Sequence, residues 1–384
     1  MQTAITAMLG IEHPLLAFSH SERVTVAVSR AGGLGVLGAA QLTADELERK
    51  LAWLQDELGD TPFGVDLLLP GSYEAAEDGG LDRSELVAQV PMEHRRFVSG
   101  LLAEYGVPEL EEGHTFGDHV DGRGLPVTGN HTYTARDTAP LVEVCLASPI
   151  KLFANALGVA PPEVVDAFHE RDVLVAGLAG TPRHGVKHRE GGTDIVIAQG
   201  YEAGGHRGMF LASDLDAALA TQSGAMALVP QIVDAVSIPV VAAGGIADGR
   251  GIAAAFALGA CGTQIGTAYL LCPEAATPPL HRDALRQADA DVTVLTNVFT
   301  GRPARVLPNR LPRELGPMTD AAPDFPLPLG ATAPLRAKAE QQGDGEFTPL
   351  WSGQAGPLAR EMPAQALTLA LANEAIARFK QMAG

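Results

Sequence analysis

The stretch AQGYEAGGHRG, residues 198–208, gathers side chains that bind and react with small molecules. It follows the aliphatic residues 195–197, so it is predicted to be the loop at the end of a strand. The Gln199 amide can donate and accept hydrogen bonds, and the glycines let a ligand approach the backbone closely. His206 can donate a hydrogen bond or carry a positive charge near neutral pH. We therefore predict a ligand-binding loop, with a structural His206 that only orders the loop as the alternative.

Two further glycine-rich stretches have the composition of phosphate-binding corners. The first, AAGGIADGRG at residues 242–251, opens a predicted helix, and the second is TQIGTA at residues 263–268. Backbone N–H groups at such corners and at helix N-termini bind phosphate oxygens, and the Thr267 hydroxyl could add a contact. One corner of this kind can simply turn the chain, whereas two on consecutive strands favour a ligand that carries a phosphate.

Eight short aliphatic runs alternate with helical patterns and are predicted to be the strands that position these loops. They are residues 14–19, 34–39, 63–69, 142–148, 173–180, 194–200, 238–245 and 261–267. The runs are mostly apolar and lack a regular alternation with polar residues, which is typical of parallel strands buried on both faces. Eight β–α units in succession favour a TIM (β/α)8 barrel, with an open doubly wound sheet as the rival fold. Active sites of such barrels lie at the C-terminal ends of the strands, so the three glycine-rich stretches should meet there.

The pattern also divides the chain into two parts. Residues 1–270 are predicted to form the barrel, with a polar insertion of about residues 70–138 after the third strand. Residues 271–384 are predicted to form a mostly helical and irregular C-terminal segment that covers the active site. The amphipathic pattern of residues 363–384 predicts a final helix that packs on the barrel.

Composition and charge argue against several classes of function. The chain has 27 Lys and Arg against 46 Asp and Glu, a net charge of -19, which disfavours binding to nucleic acid. No apolar run of about 20 residues is present, so no membrane span is expected. The three cysteines lack metal-ligand spacing and are expected to be buried thiols of a cytoplasmic protein. Three histidines of the insertion are more typical of a solvated loop than of a metal site, so no metal is predicted: His114, His119 and His131.

The loop motif and the two corners, in this order, resemble the nitronate monooxygenase family, formerly called 2-nitropropane dioxygenases. The resemblance covers most of residues 8–270 and reaches residues 296–310 and 349–356. It implies an FMN-dependent TIM-barrel enzyme that oxidises alkyl nitronates with O2 to a carbonyl compound and nitrite. A small-molecule substrate, a nitronate or a related acceptor, and O2 are the expected partners, and a homodimer is an assembly to test.

Two other functions stay open at this point. NAD(P)H-dependent FMN reductases that act on quinones or enoyl thioesters share the family's plan, and the sequence has no separate nicotinamide motif to decide between them. A flavin-free barrel that binds a phosphate, as an isomerase or a binding protein, is the third hypothesis.

The resemblance also implies which residues contact FMN. The set is Ser19, Asp66, Gln199, Gly204, Gly205, Gly244, Gly245, Gln264, Ile265, Gly266 and Thr267. Of these, Gly245 and residues 264–267 should surround the phosphate, while Asp66 stands where the family usually has asparagine. His206 should lie near the flavin ring on the substrate side.

The chain departs from the family at two positions of catalytic interest. The opening strand reads PLLAFSH where the family has P-I-x-x-A-P-M, so Ser19 and His20 replace Pro and Met. His20 should then face the cofactor, with a buried core histidine as the alternative. The fifth strand lacks the histidine that is thought to act in bacterial members, and His184 at the next helix start is a candidate base, although an exposed surface residue is the favoured interpretation. The catalytic candidates are therefore His206, His20 and His184.

Several side chains near these stretches have mainly structural interpretations. Glu202 is predicted to accept backbone N–H groups and tie its loop rather than to react. Arg302 and Arg305 are predicted to hold either the C-terminal segment or a substrate anion, and Trp351 to pack in a lid.

Overall fold

A closed barrel of eight parallel strands forms the centre of the molecule, in a computed structural model that describes residues 1–70, 92–106, 134–211, 215–289 and 292–382. The barrel strands are β1 (Leu15–Ser19), β2 (Leu34–Gly38), β3 (Gly64–Leu68), β4 (Leu152–Ala156), β5 (Leu174–Ala179), β6 (Ile195–Gln199), β8 (Val240–Ala243) and β9 (Gly262–Ile265). Each strand pairs with the next in this order, and β9 closes the ring on β1. The predicted TIM barrel is therefore confirmed, and the open doubly wound sheet is excluded.

Helices follow most of the strands and cover the barrel. They are α1 (Ala4–Leu9), α2 (Glu22–Arg30), α3 (Ala44–Leu58), α4 (Met92–Glu104), α5 (Ala135–Leu146), α6 (Pro162–His169), α7 (Pro182–Glu190), α8 (Leu215–Ala220), α9 (Ala225–Ala235), α10 (Gly249–Ala257), α11 (Pro279–Gln287), α12 (Arg310–Glu314), α13 (Leu327–Gln341) and α14 (Ala364–Met382). Short 3-10 helices occupy Thr267–Tyr269 and Gly356–Leu358.

Aliphatic side chains fill the barrel and leave one end for polar groups. Leu34, Ile197 and Val241 belong to the same buried cluster as Ile5 and Leu9 of α1, so α1 closes the N-terminal end. Burial of each such side chain stabilises the fold by about 1.5–3 kcal/mol. The polar residues of the candidate site are consequently confined to the opposite, C-terminal end.

One predicted strand is wrong. Residues 142–148 are the end of α5 and the turn after it, and the fourth strand is β4 instead. Leu141, Val142 and Cys145 are buried on one face of α5. A short apolar run fits a buried helix face as well as a strand, so periodicity alone could not separate the two.

Strands outside the eight-stranded barrel form a second, smaller sheet. β7 (Gly205–His206), β10 (Val294–Thr296) and β11 (Ala304–Val306) form an antiparallel sheet in the order β10-β11-β7. This sheet joins the loop after β6 to the C-terminal segment. The final helix α14 packs against α2 and α10, and α13 packs against α4 of the insertion.

Some expectations concern parts of the chain only partly described. Of the insertion, only α4 with its following turn and the start of α5 lie within the described ranges; His114, His119 and His131 lie outside them. None of the described helices is long and apolar enough to span a membrane. Within the same ranges, no three His, Cys, Asp or Glu side chains group together as a metal site would require.

Candidate active site

Polar and glycine residues collect at the C-terminal end of the barrel, which we call the mouth. Parallel strands end on the same side, so the ends of β1, β3, β6, β8 and β9 share this edge. The strand register places Asp66 between Gly38 and Ala154, two residues with little or no side chain. Gln199 is level with Ala243, and Ala243 with Gln264. The structure thus brings together the strand ends that the sequence pattern singles out.

The Gln199 amide stabilises its own loop. Its nitrogen donates to the His206 carbonyl at 2.8 Å, and its oxygen accepts the Gly208 N–H at 2.7 Å. The side chain is buried, and these two bonds hold the loop in a closed turn above β6. One amide hydrogen and one oxygen lone pair remain for a ligand.

Arg207 is a buried residue of the loop that sequence reasoning missed. Only 1% of its surface is exposed, and its guanidinium donates to the carbonyls of Gln199 and Gly200 and to the Gln222 side chain, at 2.9, 2.7 and 2.8 Å. Burial, together with the nearby Arg305, lowers the pKa of Arg207 to about 10. The sequence HRG does not indicate whether its arginine is buried or solvated. The hydrogen-bond acceptors of Arg207 are brought to it only when the loop folds.

Glu202 caps α9, the second helix after the loop. Its two carboxylate oxygens accept the Ala225 N–H at 3.0 and 2.9 Å, at the first residue of α9. This confirms the predicted tie. A carboxylate at this place also suits the positive end of the helix dipole.

Replacing Glu202 by alanine should lower the free energy of unfolding by about 1–2 kcal/mol, because the cap and its charge are lost together. Urea denaturation followed by circular dichroism measures the change. Glu48→Ala, an exposed carboxylate on α3, is the matched control and should change little. Equal effects of the two variants would contradict the capping role.

The C-terminal segment closes one side of the mouth. The Gly353 N–H donates to the Thr267 hydroxyl at 3.0 Å, and the Gln354 N–H donates to the Glu202 carbonyl at 2.9 Å. A Cβ on Gly204 would lie 2.5 Å from the Gly353 nitrogen. Gly204 therefore allows this close backbone contact, which the loop motif alone could not reveal.

Other glycines of the mouth border open space. A Cβ on Gly205, whose φ is +73°, would meet nothing within 4 Å, and one on Gly266 would meet only the Phe18 carbonyl at 3.9 Å. Gly244 and Gly245 also have positive φ, at 93° and 72°, which L side chains rarely adopt. Gly205 and Gly266 therefore leave space beside the backbone, whereas a Cβ on Gly244 or Gly245 would meet Ala203 or Glu202 at 3.0 or 3.3 Å.

The helix after β8 does not offer its N-terminus to an anion. Asp248 accepts the N–H groups of Arg250 and Gly251 at 2.8 and 3.3 Å, and Glu374 accepts that of Gly249 at 3.1 Å. Carboxylates therefore already occupy the start of α10. The prediction that a helix N-terminus in residues 242–251 binds the phosphate is therefore wrong. A phosphate at this corner would depend on the backbone N–H groups of the Gly244–Gly245 turn.

Two buried polar groups at the mouth lack partners. The Gln264 Oε1 atom is buried without a hydrogen bond. The Asp66 carboxyl is buried, and no hydrogen bond or charge from the described part of the chain contributes to the shift of its pKa. Burial raises the pKa of Asp66 to about 8, so this carboxyl is mostly protonated at neutral pH. Buried polar groups are nearly always paired in native proteins, which indicates that a ligand with both donors and acceptors completes them.

His206 lies at the rim, between the motif loop and the C-terminal segment. Its backbone pairs with Ala304 of β11, and its Nε2 lies 2.9 Å from the Thr300 hydroxyl. The Trp351 ring lies 5.4 Å away and the edge-on Phe325 ring 6.0 Å away. Burial and the charge of Arg302 lower the pKa of His206 to about 4, so the ring is neutral at working pH. The positive charge that the sequence pattern allowed for His206 is thus disfavoured.

Ser19 and His20 lie at the end of β1. The Ser19 hydroxyl is buried and accepts the Ser21 N–H at 3.1 Å. The His20 side chain is exposed, with Nδ1 3.0 Å from the Gly38 carbonyl and its ring edge-on to Phe18. The alternative of a core histidine is therefore wrong for His20.

His184 is buried in the first turn of α7, which begins directly after β5. Only 2% of the residue is exposed, so the predicted surface location is wrong. Its Nδ1 lies 3.0 Å from the Thr181 hydroxyl, and its Nε2 accepts the Phe210 N–H at 3.4 Å. Burial, with smaller contributions from His188 and Arg183, lowers its pKa to about 4. Both ring nitrogens have hydrogen-bond partners in the protein. His184 is therefore interpreted as a structural histidine and not as the catalytic base.

Arg302 and Arg305, the two arginines that the sequence pattern singled out, differ in position. Arg305 is 2% exposed, donates to the Tyr201 carbonyl at 3.0 Å and lies 4.3 Å over the Tyr201 ring. It thereby holds the C-terminal segment on the motif loop. The Arg302 guanidinium lies 5.2 Å over the Phe325 ring, close to His206.

Known proteins resemble this chain along nearly its whole length. The family model described as nitronate monooxygenase matches residues 2–374. A putative monooxygenase of Mycobacterium tuberculosis, Rv1533, is 41% identical over 94% of this chain and 89% of its own length. A probable nitronate monooxygenase of Staphylococcus saprophyticus is 34% identical, covering 96% of each chain. The solved structure of a nitroalkane oxidase from Streptomyces ansochromogenes superposes with a TM-score of 0.82 at 32% identity, covering 99% of this chain and 100% of that one.

Proposed function

Because this chain belongs to the nitronate monooxygenase family, and is thus an oxidoreductase, we propose that it holds FMN at the mouth and oxidises alkyl nitronates with O2 to a carbonyl compound and nitrite. The family relationship supports a flavin in general. The choice of FMN, and the residues that hold it, are our proposals.

The observation that carries the proposal is the pair of unpartnered polar groups beside open glycines. A flavin ring has N–H and carbonyl groups along one edge, so it can accept from a protonated Asp66 and donate to Gln264 Oε1. The glycines at 205 and 266 leave room for a ligand against the backbone. The residues of the mouth therefore fit this cofactor.

The phosphate of FMN is assigned to the two glycine corners. The Gly244–Gly245 turn and the segment Gly266–Thr267 would supply backbone N–H groups, which bind phosphate without a positive side chain. Gly353 donates to the Thr267 hydroxyl, so the Thr267 hydrogen stays free to donate to a phosphate oxygen. The remaining assigned contacts are Ser19, Gln199, Gly204, Gly205 and Ile265.

The protein's own part in the reaction is to place the substrate and exclude water. When bound, the flavin supplies the transfer of electrons between nitronate and O2. His206, Trp351 and Phe325 would border the substrate on the side of the C-terminal segment, and His20 on the side of β1. The His206 ring would border the substrate as a neutral group, without a charge of its own.

Replacing Gly266 by alanine should weaken FMN binding at least tenfold without lowering stability. Its φ is -116°, and the added methyl group meets no protein atom closer than 3.9 Å, so the fold accepts it, whereas a phosphate held against this backbone would not. Quenching of FMN fluorescence on titration measures the dissociation constant. Gly100→Ala, also facing open space but on α4, is the control and should leave binding unchanged. Unaltered binding in Gly266→Ala would place the phosphate elsewhere.

The activity is tested on flavin-loaded protein with propionate 3-nitronate. We expect nitrite release together with O2 consumption, and no comparable oxidation of NAD(P)H with quinones. Quinone reduction by NAD(P)H without nitrite release would instead support the reductase hypothesis. Failure to bind FMN at all would support the flavin-free barrel.

A further inference from the structure

The Thr300 hydroxyl makes three contacts at the rim. It lies 2.9 Å from His206 Nε2, donates to the Arg302 carbonyl at 3.1 Å, and accepts the Arg302 N–H at 3.3 Å. Thr300 is 1% exposed, so water does not compete for these contacts.

Counting hydrogens at Thr300 decides the tautomer of His206. A hydroxyl has one hydrogen to donate, and a carbonyl oxygen can only accept, so the hydrogen goes to the Arg302 carbonyl. The contact with His206 then needs a hydrogen on Nε2. A neutral imidazole carries one hydrogen, so Nδ1 is left with a lone pair. Nδ1 has no hydrogen-bond partner within the described ranges.

The turn that carries Thr300 is held in place. Gly301 has a φ of +85°, and its N–H donates to the Asn297 carbonyl at 2.7 Å. A Cβ on Gly301 would lie 2.5 Å from the Pro323 carbonyl. The hydroxyl therefore has a defined orientation before any substrate arrives.

The surroundings of His206 keep it neutral. Burial opposes protonation of the ring, and the positive charge of Arg302 opposes it further. No carboxylate pairs with His206 among the residues that the structure describes. A neutral ring can be held as a single tautomer, whereas a protonated ring would have none.

We infer that Thr300 is a positioning residue that fixes His206 as the tautomer with its hydrogen on Nε2, so that Nδ1 keeps its lone pair as a hydrogen-bond acceptor at the rim. The inference rests on the proposed function, in which His206 borders the substrate. A nitronate oxygen is itself an acceptor, so it would lie away from Nδ1. The group that faces Nδ1 is therefore a donor, an N–H or O–H of the ligand or the acidic C–H of a neutral nitroalkane, and not the nitronate group itself.

Nuclear magnetic resonance of protein labelled with 15N-histidine tests the tautomer directly. The His206 signals are assigned as those lost in His206→Asn. We expect a protonated Nε2 and an unprotonated Nδ1 at neutral pH in the wild type. The opposite assignment, or a protonated ring, would overturn the inference. The measurement needs no substrate, so its failure is distinct from a failure to oxidise nitronates.

Two variants test the role of the hydroxyl. Thr300→Val keeps the shape but removes the acceptor, so His206 should lose its preference for the tautomer with the hydrogen on Nε2. Thr300→Ser keeps a hydroxyl and should retain the wild-type tautomer. A tautomer unchanged in Thr300→Val would contradict the positioning role, even if activity fell.

Discussion

Replacing Asp66 by asparagine should stabilise the protein by about 2–4 kcal/mol at pH 8 and by close to nothing at pH 5. The folded-state pKa of Asp66 is raised by burial from 3.8 to about 8. Below about pH 4 the carboxyl is protonated in both the folded and the unfolded chain. Its ionisation then does not change the free energy of unfolding. Between about pH 4 and 8 only the unfolded chain ionises, and the wild type loses about 1.4 kcal/mol per pH unit.

Asparagine has the same shape and no charge, so it removes that loss. Part of the gain is offset because a buried amide without partners itself costs about 1–3 kcal/mol. Urea denaturation at pH 5 and pH 8 measures the difference. Asp56→Asn, at an exposed position on α3, is the control and should have a small effect at both pH values. An Asp66→Asn effect that does not change with pH would contradict the neutral buried carboxyl.

The same substitution separates stability from cofactor binding. Asparagine can donate a hydrogen bond to the flavin at any pH, whereas Asp66 donates only while protonated. FMN affinity of the wild type should therefore fall above about pH 8, and that of Asp66→Asn should not. Fluorescence titration of FMN between pH 7 and 9.5 distinguishes the two; parallel curves would remove Asp66 from the cofactor site.

Replacing Arg207 by alanine should lower the free energy of unfolding by about 3–5 kcal/mol and release bound flavin. The substitution leaves a cavity and removes the donors for the Gln199 and Gly200 carbonyls and for Gln222. The loop that carries His206 then loses its internal support. Denaturant unfolding and the flavin content of the purified protein measure both effects.

Arg23→Ala, an exposed arginine on α2, is the matched control for this prediction and should change stability by less than about 0.5 kcal/mol. Arg207→Lys keeps the charge but has a single nitrogen, so it should recover only part of the loss. A fully stable Arg207→Ala protein with normal flavin content would show that Gln199 alone holds the loop.

The barrel was predictable because its strands are almost all continuous aliphatic runs bounded by glycine. The fourth strand was not, since the run around Val142 has the same letters as a helix face, and LFANA, the sequence of β4, is short with polar Asn155 inside it. The Asn155 side chain accepts the Leu69 N–H and donates to the Gly158 carbonyl, a contact between segments that local pattern does not show.

The site was predictable in its location and less so in its details. The motif loop and glycine corners identified the mouth, and Glu202 does cap a helix. The burial of His184, the role of Arg207 and the hydroxyl of Thr300 all depend on partners far away or folded back along the chain. The same holds for Gly204, whose neighbour Gly353 lies about 150 residues on and is brought there by tertiary packing.

The central claim is that a flavin at the mouth takes electrons from a nitronate, and an anaerobic titration tests it most directly. FMN-loaded protein is mixed with propionate 3-nitronate in the absence of O2, and the visible absorbance of the flavin is followed. We expect the absorbance to change with nitronate alone and to recover when O2 is admitted. An absorbance that nitronate leaves unchanged and NAD(P)H bleaches would contradict the proposed function.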